Sequence, residues 1–162
     1  MRSRLFYHLV WTTRERRPLL DASAFRFLER YLKSVARQEH ARILALGVVR
    51  THVHVLFEAR TTTALPRLVQ RFKGGSSALI NREGHAEGPV PVRWARGYAI
   101  HTVGTRGLSA ARAYVANQGA HHPAERIEPA RNLAQAGRRC SESRSGGSSG
   151  GVNLAQAGRR VG

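Results

Sequence analysis

The chain has 162 residues, with 27 Lys and Arg against 10 Asp and Glu, a formal net charge of +17 and a pI near 11.8. That length suits one domain, with room for a tail. Asp21 is the only aspartate and Cys140 the only cysteine, which speaks against polymerase-, phosphatase- or nuclease-type centres built on carboxylate clusters and excludes an internal disulfide or a Cys-rich zinc site.

Further absences narrow the field. The chain has no Gly-Lys-Ser/Thr phosphate loop, so no nucleotide cofactor is expected. No apolar run approaches about 18 residues, so no membrane span is expected. The opening Met1-Arg2-Ser3-Arg4 leads into a strand-like stretch without a small-residue cleavage site, and the expected location is the cytoplasm. All the cations except Lys33 and Lys73 are arginines. An Arg-rich chain of this charge points to a polyanion, because guanidinium pairs bidentately with phosphate. A GC-rich genome would also favour Arg over Lys, but it does not account for the shortage of acids.

In chain order, Leu5–Thr12 has the apolar and aromatic pattern of a strand. Asp21 is placed to cap a helix running to about Glu39, with Phe25, Leu28, Leu32 and Val35 on one face. Arg42–Val49 and Thr51–Glu58 read as the second and third strands. Thr63 is placed to cap a helix through Leu65, Leu68, Val69 and Phe72, continuing past Gly74-Gly75 to Ile80. Tyr98–Val103 reads as the fourth strand. Ser109 is placed to cap a last short helix ending at Gly119. The order β-α-β-β-α-β followed by a helix predicts an α+β, ferredoxin-like split βαβ fold with an added C-terminal helix.

Two regions differ in kind. Residues 1–128 hold 21 cations and nine acids, a net of +12, and read as the folded domain. Residues 129–162 hold six cations and one acid, a net of +5. In them the octet Asn132–Arg139, NLAQAGRR, recurs at Asn153–Arg160 on either side of a Ser/Gly-rich spacer, Ser141–Gly151. Such a tail reads as disordered. It is either a basic tether or a frame-shifted or readthrough end without a role.

His52-Val53-His54 lies in the third strand, where alternation puts both imidazoles on one face and Val53, Val55 and Phe57 on the other. Two such imidazoles can share a divalent cation; a half-exposed strand that happens to carry histidine is the plainer account. Tyr114 and Gln118 are four apart on the last helix and share a face. A phenol is a usable nucleophile towards phosphorus, and a glutamine carbonyl a usable ligand for a hard cation. Helix packing, with Tyr inside and Gln outside, is the plainer account here too.

Taken together, these blocks resemble the single-tyrosine transposases of the His-hydrophobic-His class, the insertion-sequence-200-like family. The resemblance covers most of residues 5–122. It is carried by Tyr7-His8-Leu9-Val10-Trp11 with Arg14 to Pro18, Thr51-His52-Val53-His54-Val55-Leu56, Phe72-Lys73-Gly74-Gly75-Ser76-Ser77, Trp94-Ala95-Arg96-Gly97-Tyr98 with Thr102-Val103-Gly104, and Ala113-Tyr114-Val115-Ala116-Asn117-Gln118. The resemblance implies that His52, His54 and Gln118 hold Mg²⁺ or Mn²⁺. Three neutral ligands leave the ion its full charge for a scissile phosphate. It implies that Tyr114 attacks that phosphate, leaving a 5′-phosphotyrosyl link and a free 3′ hydroxyl. It further implies single-stranded DNA with imperfect hairpins as substrate, a homodimer, and a tyrosine helix able to complete either subunit's site. Glycines at 104 and 107 suit a movable connection.

Other residues carry weaker expectations. Arg14, Arg67, Arg71 and Lys73 are candidates for phosphate contact, with a solvated face as the alternative. Trp94 and Tyr98 are candidates for base stacking, with core packing preferred. His121-His122 follow the helix and read as solvent-exposed; His101 lies on a strand with no assigned role. Gly74-Gly75-Ser76-Ser77-Ala78 falls one residue short of a nucleophile elbow, and no Asp follows. A ferredoxin-like nucleic-acid binder without catalysis, and a tyrosine enzyme acting on dispersed palindromic repeats, are the competing readings.

Overall fold

The computed structural model describes residues 4–128; the reading of 129–162 as a disordered tail lies outside the described residues. Four strands, β1 (Arg4–Thr12), β2 (Ala41–Val49), β3 (His52–Arg60) and β4 (Ala99–Val103), form one sheet in the order β2-β3-β1-β4. Every neighbouring pair is antiparallel. Strand β1 therefore sits inside the sheet although it comes first in the chain, which is the split βαβ arrangement expected from the element order.

Helix α1 (Ala22–Gln38) joins β1 to β2. Its cap is Asp21, whose carboxylate accepts from the Ala24 amide at 2.8 Å and also from the Glu87 amide at 2.6 Å. The buried face is Ala24, Phe27, Leu28, Leu32, Val35 and Ala36. Phe27, rather than the expected Phe25, takes the core position. These side chains form one cluster with Leu9, Trp11, Val53, Val55, Phe57, Phe72 and Ile80.

The second helical region is broken where its sequence weakens. Helix α2 (Leu65–Gln70) passes through a π-type turn, Arg71–Gly75, into α3 (Ser76–Glu83). A π turn leaves local backbone groups without their usual partners. Here the Tyr31 hydroxyl donates to the Arg71 carbonyl at 2.9 Å. Gly75 permits that approach, since a Cβ there would lie 1.9 Å from the Tyr31 oxygen. The expected Thr63 cap does not form. Ala64 is the N-cap residue, and the Thr63 hydroxyl accepts from the Arg60 amide at 3.2 Å in the turn leaving β3.

After β4 the chain makes a short turn, Thr105–Gly107, and enters α4 (Leu108–Ala116) with Gly107 as N-cap. Ser109 is inside the helix and caps nothing. The helix breaks at Asn117, and a final turn, α5 (Gln118–His121), carries Gly119 within it rather than after it. Helices α4 and α5 lie against β2 and β3, and Val115 is fully buried there. Both faces of β3 are thereby covered, and His52 through Phe57 are all buried. No helix among the described residues is long and apolar enough to cross a membrane.

Candidate metal and tyrosine site

The histidine face of β3 is a built site rather than a solvated strand face. His52 is 4% exposed and His54 6%. Their rings lie 5.0 Å apart, as two-residue spacing on one strand dictates. From β1, His8 stacks on His54 at 5.1 Å between centroids, and its Nε2 is 2.9 Å from His54 Nδ1.

Helices α4 and α5 bring Tyr114 and Gln118 to the same place. Tyr114 stands edge-on to His54 at 5.9 Å and to His8 at 6.1 Å. Gln118 is 1% exposed, and its amide nitrogen donates to the Tyr114 carbonyl at 3.0 Å. Its amide oxygen is buried without a hydrogen-bond partner among the described residues. Burial of the two is the reverse of ordinary helix packing: the tyrosine is 42% exposed and the glutamine is inside. A buried acceptor left unpaired is costly unless something else occupies it.

Close approach of this helix depends on Gly47, which pairs with His54 across β2 and β3. A Cβ at position 47 would lie 2.2 Å from the Val115 carbonyl oxygen and 2.5 Å from Gln118 Cγ. The missing side chain is the notch into which the helix settles, over the histidines of its own chain.

Sequence reasoning missed a second group. His122 stands edge-on to His52 at 4.8 Å, and His121 lies 4.8 Å from Tyr114. His122 is half-buried, whereas His121 is exposed, as expected. Glu125, in a short turn (Pro123–Glu125), places its carboxylate 3.2 Å from His52 Nδ1 and accepts a short hydrogen bond from the Thr51 hydroxyl. His52, His122 and Glu125 bring ligand atoms within 4.8 Å of one another, so this group is also able to hold a metal ion. No spacing rule links residues 8, 52 and 125; only the sheet register and the final turn bring them together.

Electrostatics keeps the imidazoles neutral. Burial lowers the pKa of His54 to about 3, with His52 and His8 adding like-charge repulsion. Burial also lowers His52, with His122 acting in the same direction and Glu125 partly opposing. His8 is lowered by burial and by His101, its partner on β4. Neutral imidazole is the form that binds a metal.

The expected phosphate-contact residues are not all alike. Arg14 is exposed, lies 3.5 Å from the Glu15 carboxylate, and lines an open cavity with Arg93, Trp94 and Arg96. Arg67 and Arg71 both pair with Glu39, at 3.2 and 2.6 Å. Lys73 donates to the carbonyls of Ala95, Arg96 and Gly97 and stands over the Tyr98 ring at 5.6 Å. Trp94 packs edge-on against Trp11 at 5.8 Å and donates to Ser76, whereas Tyr98 is exposed.

Comparison with known proteins identifies a family and a fold. Residues 1–118 match the family model described as Transposase IS200 like. The ISDra2 transposase TnpA of Deinococcus radiodurans is 32% identical over 73 residues, 45% of this chain and 52% of that protein. The match thus spans about half the length of that relative. Among solved structures, a candidate transposase from Deinococcus radiodurans R1 is 28% identical, with a TM-score of 0.56 over 72% of this chain and 92% of that one. A REP-associated tyrosine transposase bound to a REP hairpin is 15% identical, with a TM-score of 0.58 over 99% of this chain and 94% of that one; this likeness is one of fold.

Proposed function

The chain belongs to the IS200-like transposase family, and on that premise we propose that it cleaves and rejoins single-stranded DNA at hairpin-bearing ends, with Tyr114 as nucleophile. In this reading the phenolic oxygen bonds to phosphorus and loses its proton. The bond from phosphorus to the 3′ oxygen breaks, and the departing oxygen takes up a proton. A 5′-phosphotyrosine is left, and the reverse reaction with another 3′ hydroxyl restores a phosphodiester. One ester is exchanged for another, so no nucleotide is consumed.

The supporting observation is the inverted burial of α4 and α5. The orphaned Gln118 oxygen lies inside with His52 and His54, while Tyr114 stays open to solvent above them. Two neutral imidazoles and an amide oxygen fit a divalent cation, and the family resemblance implies Mg²⁺ or Mn²⁺. When bound, that ion would supply Lewis-acid stabilisation of charge on the scissile phosphate. The residues proposed to hold it are His52, His54 and Gln118. Arg14, with Arg93 and Arg96 beside it, offers a cationic wall for the DNA backbone. Arg67, Arg71 and Lys73 would have to exchange protein partners for phosphate. A homodimer belongs to this reading through the family resemblance, and sedimentation at micromolar concentration checks it.

The test is a covalent adduct. Full-length protein, Mn²⁺ and an end-labelled hairpin-bearing single strand should give a species that survives a denaturing gel. Tyr114→Phe should abolish it, and so should His52→Ala with His54→Ala; metal-dependent adduct from that double variant would overturn the metal site. No adduct across several metals and flanking sequences would favour a nucleic-acid binder without catalysis.

A further inference from the structure

Each of the two histidines has one ring edge occupied by the protein. At His52, Nδ1 lies 2.9 Å from Thr51 Oγ1 and 3.2 Å from Glu125 Oε2. The Thr51 hydroxyl donates to that same carboxylate oxygen, so its oxygen is free to accept. A carboxylate only accepts. The proton shared at this edge therefore belongs to His52 Nδ1. At His54, Nδ1 lies 2.9 Å from His8 Nε2.

The supports are themselves fixed. The Thr13 amide donates to the Thr51 carbonyl at 2.7 Å, and the Arg50 amide donates to the Glu125 carbonyl at 2.8 Å. Arg16 lies 3.7 Å from the other Glu125 oxygen. Glu125 thus ties the last described turn to the start of β3, beyond the 1–118 span of the family match.

We propose that Glu125, acting with Thr51, and His8 are positioning residues that hold His52 and His54 in the Nδ1-protonated tautomer and leave both Nε2 atoms for the metal. The inference rests on the metal reading above. An outer partner at the second ring nitrogen fixes a ligand's tautomer and orientation, and its loss commonly weakens metal binding by about 10–100-fold. At His54 the proton sits on Nδ1 and is accepted by His8 Nε2, so His8 carries its own proton on Nδ1.

The test needs no DNA. Long-range ¹H–¹⁵N spectra of the metal-free, full-length protein report each ring's tautomer, and Mn²⁺ titration followed by electron paramagnetic resonance reports affinity. His52 and His54 should both be Nδ1-protonated. Glu125→Ala should shift the His52 signature and His8→Phe the His54 signature, each weakening Mn²⁺ about 10–100-fold. Glu125→Gln, whose amide oxygen still accepts, should retain most of the affinity and the wild-type signature. Nε2-protonated rings in wild type, or signatures unmoved in Glu125→Ala and His8→Phe, overturn the positioning role. The metal reading would survive that result if His54→Ala and Gln118→Ala still lose Mn²⁺. Should those two bind normally while His122→Ala and Glu125→Gln lose binding, Glu125 is itself a ligand and both readings fail.

Discussion

His54 is the residue on which burial and chemistry meet most directly. Two-residue spacing on a strand puts it beside His52, and that much is legible in the sequence. Its burial is not, because a strand pattern says nothing about what lies on the second face. The cost of that burial is a specific acid sensitivity. The unfolded chain takes up a proton at His54 near pH 6.5, whereas the folded chain does so only at about pH 3. Between those values the unfolded state binds more protons, so acid favours unfolding. His8 and His52, lowered in the same direction, steepen the effect. The melting temperature of metal-free protein should therefore fall steadily below about pH 6.5, and His54→Phe should flatten the profile. A profile already flat in wild type would contradict neutral, desolvated imidazoles. Fixed spacings relate His52 to His54 and Tyr114 to Gln118 in pairs, and the family resemblance is what joins the two pairs into one expected site. Sequence reasoning finds no role for His8, His122 or Glu125, because each reaches the site through tertiary contacts.

The elements owe their placement to two glycines. At Gly47 the absent side chain admits α4, so Gly47→Ala should displace the helix while β2 remains paired. Adduct formation should drop by at least about tenfold, since small misplacements of a reacting group are costly. Circular dichroism should keep its strand signal. Normal activity in that variant would mean the helix does not need the notch. At Gly75 the absent side chain admits the Tyr31 hydroxyl to the π turn. Gly75→Ala should cost about 1–3 kcal/mol by overpacking, read as a lower urea midpoint, and combination with Tyr31→Phe should recover part of the loss. The strands and α1 are legible because their apolar periods are long and clean. Helix ends are less so: Thr63 and Ser109 have capping chemistry, yet a turn leaving β3 takes the first and the Gly107 turn displaces the second. The π turn leaves only a glycine pair as its trace.

Across the whole molecule, charge is in excess even after local pairing. Residues 1–128 carry 21 cations against nine acids, and several of those acids serve internal contacts, as Glu39 does with Arg67 and Arg71. Affinity for single-stranded DNA should fall about tenfold or more between about 50 and about 200 mM salt, measured by fluorescence anisotropy. A chain ending after Glu128 should keep most of that affinity and its slope; loss of both would transfer the binding role to the basic tail. Fold class is legible at this scale because element order constrains a small sheet tightly.

The Gly47 notch also orders events in time. Strands β2 and β3 are joined by a tight turn and can pair early, whereas the helix that fills the notch comes some seventy residues later in the chain, and contacts so distant in sequence form slowly. In a chain emerging from the ribosome, both strands and both histidines have been made before Tyr114. On the proposed reading the nucleophile therefore arrives last, with docking of the final helix, and a chain truncated before that helix should form no covalent adduct.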